Sequence, residues 1–144
     1  MKKKLRIQAI LRLGCGFIDY LLILLPTQLV LLGIMQQDAS RVDFLFRLLF
    51  AVYGVLMVEY NHGATIGKTF GKLMVVDSSG AKATVMYVGL RELVRTMYMV
   101  PVAGWIACGI SIVMMCINGR TLHDMVGNTR VIYRWEAETE EDEA

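Results

Sequence analysis

Histidine, cysteine and proline are scarce in this chain of 144 residues, and none is arranged for chemistry. The three cysteines, Cys15, Cys108 and Cys116, fall in apolar segments without metal-ligand spacing and read as small packing residues. His123 stands beside Asp124, but no nucleophile in a motif context accompanies them, and His62 is the other histidine. Metal binding and hydrolysis are therefore set aside, and no catalytic or cofactor site is expected. No internal repeat is visible, which argues against an inverted-repeat transporter within one chain. Residues 1–6 have the basic character of a signal-peptide start. The apolar run that follows is too long and ends without a small-residue cleavage site, so it reads as a retained anchor.

Apolar residues are what the chain has in excess. They make up 56% of it, with a mean hydropathy of +0.50, against about 45–50% in ordinary soluble domains. They gather in three runs, residues 13–35, 44–60 and 96–117. A run of about 20 can cross the hydrocarbon core of a bilayer. The expected class is an all-α membrane protein with two full transmembrane helices and a third apolar segment, and with one domain over residues 1–135. Residues 136–144 carry six acids, too many for packing, and are expected to be a disordered tail. Without those six, the chain has 15 basic and 7 acidic residues, a net of +8. Basic residues scattered around membrane spans suit anionic lipid head groups better than nucleic acid.

The first twelve residues read as a basic, partly amphipathic surface helix. Pro26 is expected to kink the first span. The second span covers only about 25 Å at ~1.5 Å per residue, so Arg47 and Glu59 should snorkel to opposite interfaces. Short strands are expected at 72–77 and 129–135, pairing as a small sheet on the cytoplasmic side. Lysine and arginine counts put the N-terminus and residues 61–95 in the cytoplasm, with the first loop outside. Arg120, Arg130 and Arg134 follow the third segment closely. They share that side if the segment is a re-entrant hairpin folded at Pro101, and lie opposite if it is a single span. The charge rule favours the hairpin.

Four groups of residues carry functional weight. Arg12 and Asp19 lie seven residues apart and so share a helix face, with Gly16 between them. A charge at bilayer depth costs roughly 2.5–3.5 kcal/mol on insertion scales, so it needs a partner or a task. The stretch with Gly63, Thr65, Gly67 and Lys68 has three residues before its Gly-Lys pair, where a phosphate-binding P-loop needs four. It reads instead as an interfacial turn with Lys68 near lipid phosphates. Arg91 and Arg95 share a face; they form a basic flank, or one turns inward to Asp19 or Asp124. Asp124 caps a helix, pairs with Arg120, or meets a buried arginine.

Taken together, these residues resemble the RDD family of small bacterial and archaeal membrane proteins, named for one arginine and two aspartates. The resemblance rests on Arg12 and Asp19 in the first span, on Gly63-Ala64-Thr65-Ile66-Gly67-Lys68 leading to Val75-Val76-Asp77, and on Leu122-His123-Asp124 leading to Gly127-Asn128-Thr129-Arg130-Val131. It makes Arg12, Asp19 and Asp124 the named trio and implies a prokaryotic cell membrane. For some members a transport role, including cation/proton exchange, has been suggested. Two functions therefore compete. One is a non-catalytic membrane subunit or scaffold, in which the trio forms a buried ion-pair network; this is the favoured reading. The other is an oligomeric ion or solute transporter using Asp19 as the ion-binding carboxylate. Either implies a homo-oligomer or another membrane protein as partner.

Overall fold

A computed structural model describes residues 2–142. Helix α1 spans Lys2–Gln28 and runs on without interruption as a π-helix, Leu29–Ile34. The basic N-terminus is thus the first part of this long helix and not a separate surface element. No helix-breaking residue stands between Lys2 and Leu13, so nothing ends it there. The helix continues through Pro26. After a short connection, α2 covers Ala39–Tyr60 and returns alongside it. Among the described residues, one helix, Lys3–Ile34, is long and apolar enough to cross a membrane. Helix α2 carries Asp43, Arg47 and Glu59 within its 22 residues.

The remaining elements are short. They are α3 (Ile66–Phe70), β1 (Leu73–Asp77), α4 (Val85–Met97), α5 (Ala103–Asn118), α6 (Leu122–Val126), β2 (Thr129–Tyr133) and α7 (Arg134–Asp142). Strands β1 and β2 pair antiparallel from Leu73↔Tyr133 to Asp77↔Thr129. The segment 96–117 is neither one straight helix nor a symmetric hairpin. It holds the end of α4, a turn around Pro101, and most of α5. Proline lacks the N–H a continuing helix would need, and Val102 adopts a positive φ of 65°. Within the acidic segment, α7 is helical through Asp142 instead of structureless. Its first turn is held down by Glu136, which pairs with Lys4 and accepts from the Tyr133 N–H at 3.3 Å.

The core forms where the sheet meets the helices. Cys15 of α1, Val58 of α2, Leu73 and Val75 of β1, Val88 of α4 and Val131 of β2 pack in one buried cluster. Between α1 and α2, Tyr20 meets Phe46 edge-on at 5.3 Å, and Phe46 stacks on Phe50 at 5.8 Å. The start of α1 is tied to β2 by Gln8, whose Nε2 donates to the Val131 carbonyl at 2.9 Å.

Close approach of α3 to α1 depends on Gly67. A β-carbon there would sit 2.2 Å from the Cys15 carbonyl oxygen. Gly89 on α4 has no such neighbour within 4 Å. Gly67→Ala should therefore lower stability by about 1–3 kcal/mol through overpacking. Gly89→Ala should leave it unchanged or raise it by up to ~1 kcal/mol through helix propensity. Unfolding of the two purified variants, followed by circular dichroism, measures both.

Candidate functional site

Charged residues collect where α1, α3, α4 and α6 meet. Arg12, Asp19, Lys68, Arg91, Glu92 and Asp124 are all buried, and Asp19, Glu92 and Asp124 have no exposed surface. Helix α4 supplies three groups because Val88, Arg91, Glu92 and Arg95 recur at helical spacing along its inner side. Helix α1 supplies Arg12 and Asp19 from one face.

Arg12 and Asp19 do not pair with each other directly. Two helical turns separate them by about 10.5 Å along the axis, beyond ion-pair reach. Arg12 instead meets Asp124 through one terminal nitrogen and donates to the Gly119 carbonyl through the other at 2.9 Å. Arg91 reaches the second oxygen of the same carboxylate, with Nε donating at 3.0 Å. Asp124 also completes a reciprocal cap on α6. The Thr121 hydroxyl accepts from the Asp124 N–H, and the Asp124 carboxylate accepts from the Thr121 N–H at 3.3 Å. Arg120 is not among these partners.

Asp19 organises the start of α3. It accepts from the Thr65 hydroxyl at 2.5 Å, the Gly67 N–H at 2.9 Å and the Tyr53 hydroxyl at 2.8 Å. Tyr53 in turn accepts from the Ile66 N–H at 3.1 Å. The cation facing Asp19 is Arg95, at 4.0 Å. Arg95 passes Gly16, donates to Glu92 at 3.2 Å and lies 4.6 Å above the Phe50 ring. Glu92 rests against Gly54 of α2, where a β-carbon would come within 2.4 Å of its carboxylate.

The glycine-rich stretch therefore faces inward and does not lie flat at an interface. Thr65 caps α3, Gly63 turns at a φ of 80°, Gly67 lets α3 touch α1, and Lys68 is buried while Lys72 is exposed. Glu59 stands apart, paired with Lys82 at 2.7 Å. Arg47 bonds Asp43 on its own helix at 2.6 Å and donates to the Met99 carbonyl at 3.1 Å, across to the turn before α5. A second polar chain borders the cluster. The Tyr98 hydroxyl donates to Ser111 at 3.1 Å and lies 3.1 Å from His123 Nδ1, while Thr121 lies 3.1 Å from His123 Nε2.

For Asp124, Glu92 and His123 burial opposes the charged form, and the balance with neighbouring charges differs from one to the next. For Asp124, burial is outweighed by Arg12 and Arg91, which hold the carboxyl well below its usual range. For Glu92, burial is outweighed by Arg95 and Arg91, with the same direction. For His123, burial dominates and pushes the imidazole well below its usual value despite Asp124. The chemistry available is ionic and hydrogen-bonding, with Asp19 and Asp124 both fully engaged.

A helical protein with a buried carboxylate–guanidinium network beneath a long apolar helix is the class this geometry defines. The chain belongs to the RDD family, whose model matches residues 8–128. It is similar to the uncharacterized protein YckC of Bacillus subtilis (strain 168), 25% identical over 131 residues, covering 90% of this chain and 86% of that relative. No solved structure matches. Glu92, Tyr53 and the inward Lys68 were missed in the sequence. Glu92 had a signal, since it lies three residues before Arg95 on one helix face. Tyr53 had none, being one aromatic among many in an apolar run.

Asp124→Asn should lower stability at neutral pH by about 3–5 kcal/mol, because two buried guanidiniums lose their counter-ion. The folded-state values of Asp124 and Glu92 lie below the unfolded ones. Their contribution is thus complete above the ordinary carboxylate range and is lost progressively as pH falls from that range toward the lower folded-state values. Denaturant titrations from about pH 6 to 3 should show wild-type stability falling, and falling less in Asp124→Asn.

Proposed function

We propose that this protein is a small multi-pass membrane protein of prokaryotic cells, acting as a non-catalytic subunit or scaffold. The observation that carries this reading is the saturation of its buried carboxylates. Asp19 accepts three hydrogen bonds, and Asp124 accepts from two arginines and a backbone N–H. A transported cation would have to displace these donors. The network links α1, α3, α4 and α6, which suits a frame that presents its outer faces to other chains.

Membrane residence is supported by the family and by the outward apolar surface. Leu25, Leu29, Phe44, Trp105, Ile106 and Val113 are all more than half exposed. Large apolar side chains left exposed in this number support contact with lipid or another chain. Contacts support a topology. Strands β1 and β2 share one sheet, and the start of α1 bonds β2, so these regions lie on one side. An even number of crossings must then separate Asp77 from Thr129, which the turn around Pro101 allows. The basic residues collected on that side support a cytoplasmic location for it and for the N-terminus.

Reconstitution in vesicles separates subunit from transporter. The scaffold reading expects no cation or proton flux from wild type, and a several-fold loss of folded yield in Asp19→Asn. Flux through wild type, abolished in an Asp19→Asn protein that still assembles, would establish transport instead.

A further inference from the structure

Next to the ionic network lies a cavity of about 350 Å³. Arg12, Lys68, Arg91 and Arg95 all line it, while the three acids that balance them sit behind. Among the described residues this cluster has four cations to three carboxylates, from Asp19, Glu92 and Asp124. The surplus falls on one side chain. Arg12, Arg91 and Arg95 each hold a carboxylate, whereas Lys68 Nζ has no hydrogen-bond partner and makes no ion pair among the described residues. Lys68 is only 5% exposed.

A buried ammonium without a partner is expensive, and proteins keep one only where something meets it. Burial and the guanidiniums of Arg91 and Arg95 press the Lys68 amine well below its usual range, against the pull of Glu92 and Asp19. An entering anion would reverse that balance. The other walls indicate the form of the ligand. Leu13 and Phe17 also line the cavity and are 46% and 61% exposed, so it opens at the apolar surface of α1. The volume lies within the range of small-molecule pockets, roughly 300–1,000 Å³.

We propose that this cavity binds a phosphate group, with Lys68 as its direct cation and Arg12 and Arg95 completing the charge around it. The phosphate comes from an acidic phospholipid entering along the apolar mouth, or from free inorganic phosphate. Only the lipid source depends on the membrane reading above. The site itself stands for a subunit and a transporter alike.

The test uses full-length protein in neutral detergent. Thermal midpoints are measured against dihexanoyl phosphatidic acid, inorganic phosphate and dihexanoyl phosphatidylcholine, for wild type and Lys68→Met. Because Lys68 Nζ has no partner to lose, Lys68→Met should fold at least as well as wild type without ligand. Phosphatidic acid should raise the wild-type midpoint and bind Lys68→Met at least tenfold more weakly, while phosphatidylcholine does little. The same Lys68-dependent shift with inorganic phosphate at comparable concentration would assign the free ion as the source. As a measurement on wild type alone, amine acetylation mapped by mass spectrometry should show Lys68 protected by the bound phosphate and exposed Lys72 unaffected. Equal responses of the two proteins, an equal response to phosphatidylcholine, no response to either phosphate probe, or an unprotected Lys68 would overturn the proposal.

Discussion

Asp124 is held between Arg12 from the first helix and Arg91 from the fourth, with none of its surface exposed. Removing each such ion from water costs several kcal/mol. Attraction between unit charges at 4 Å returns about 4 kcal/mol at the effective dielectric of a protein. Three desolvations against two such attractions, plus the hydrogen bonds to Thr121 and Gly119, come close to balance. The network is therefore a poor source of net stability. Its effect is on arrangement, because any packing that separates these three groups leaves a buried charge alone. Helices distant in sequence are thereby held to one register.

The rest of the interior repeats that logic. Asp19 gathers the Thr65 hydroxyl, the Gly67 N–H and the Tyr53 hydroxyl, and so fixes where α3 begins. Arg95 and Glu92 join the two nodes, with Glu92 lying in the space left by Gly54. The small sheet closes the assembly at the end where α1 starts. Many outward side chains are apolar, and the charged cluster lies beside the apolar core.

Much of this was legible in the residues. The first long apolar segment, the two strands and the importance of Arg12 and Asp19 followed from hydropathy, alternation and the high cost of charge among apolar side chains, while Asp124 joined them through the family resemblance. Partner choice did not follow. Arg12 and Asp19 share a face, and their spacing keeps them apart without saying which element each one meets. Lys68 read as a surface residue because a Gly-Lys pair in a turn is usually solvated. Only the packing of α3 against Cys15, allowed by Gly67, turns it inward. The acidic segment meets Lys4, 132 residues away, through Glu136, a contact that local composition cannot reveal.

The coupling between Arg12 and Asp124 is the most direct thing to measure. A double-mutant cycle with Arg12→Met, Asp124→Leu and the pair, read by equilibrium unfolding, isolates it. If the carboxylate binds the first helix to the sixth, the interaction energy should be about 1–3 kcal/mol, with the double variant more stable than the sum of single losses implies. Losses that add to within ~0.5 kcal/mol would mean the two side chains do not hold each other.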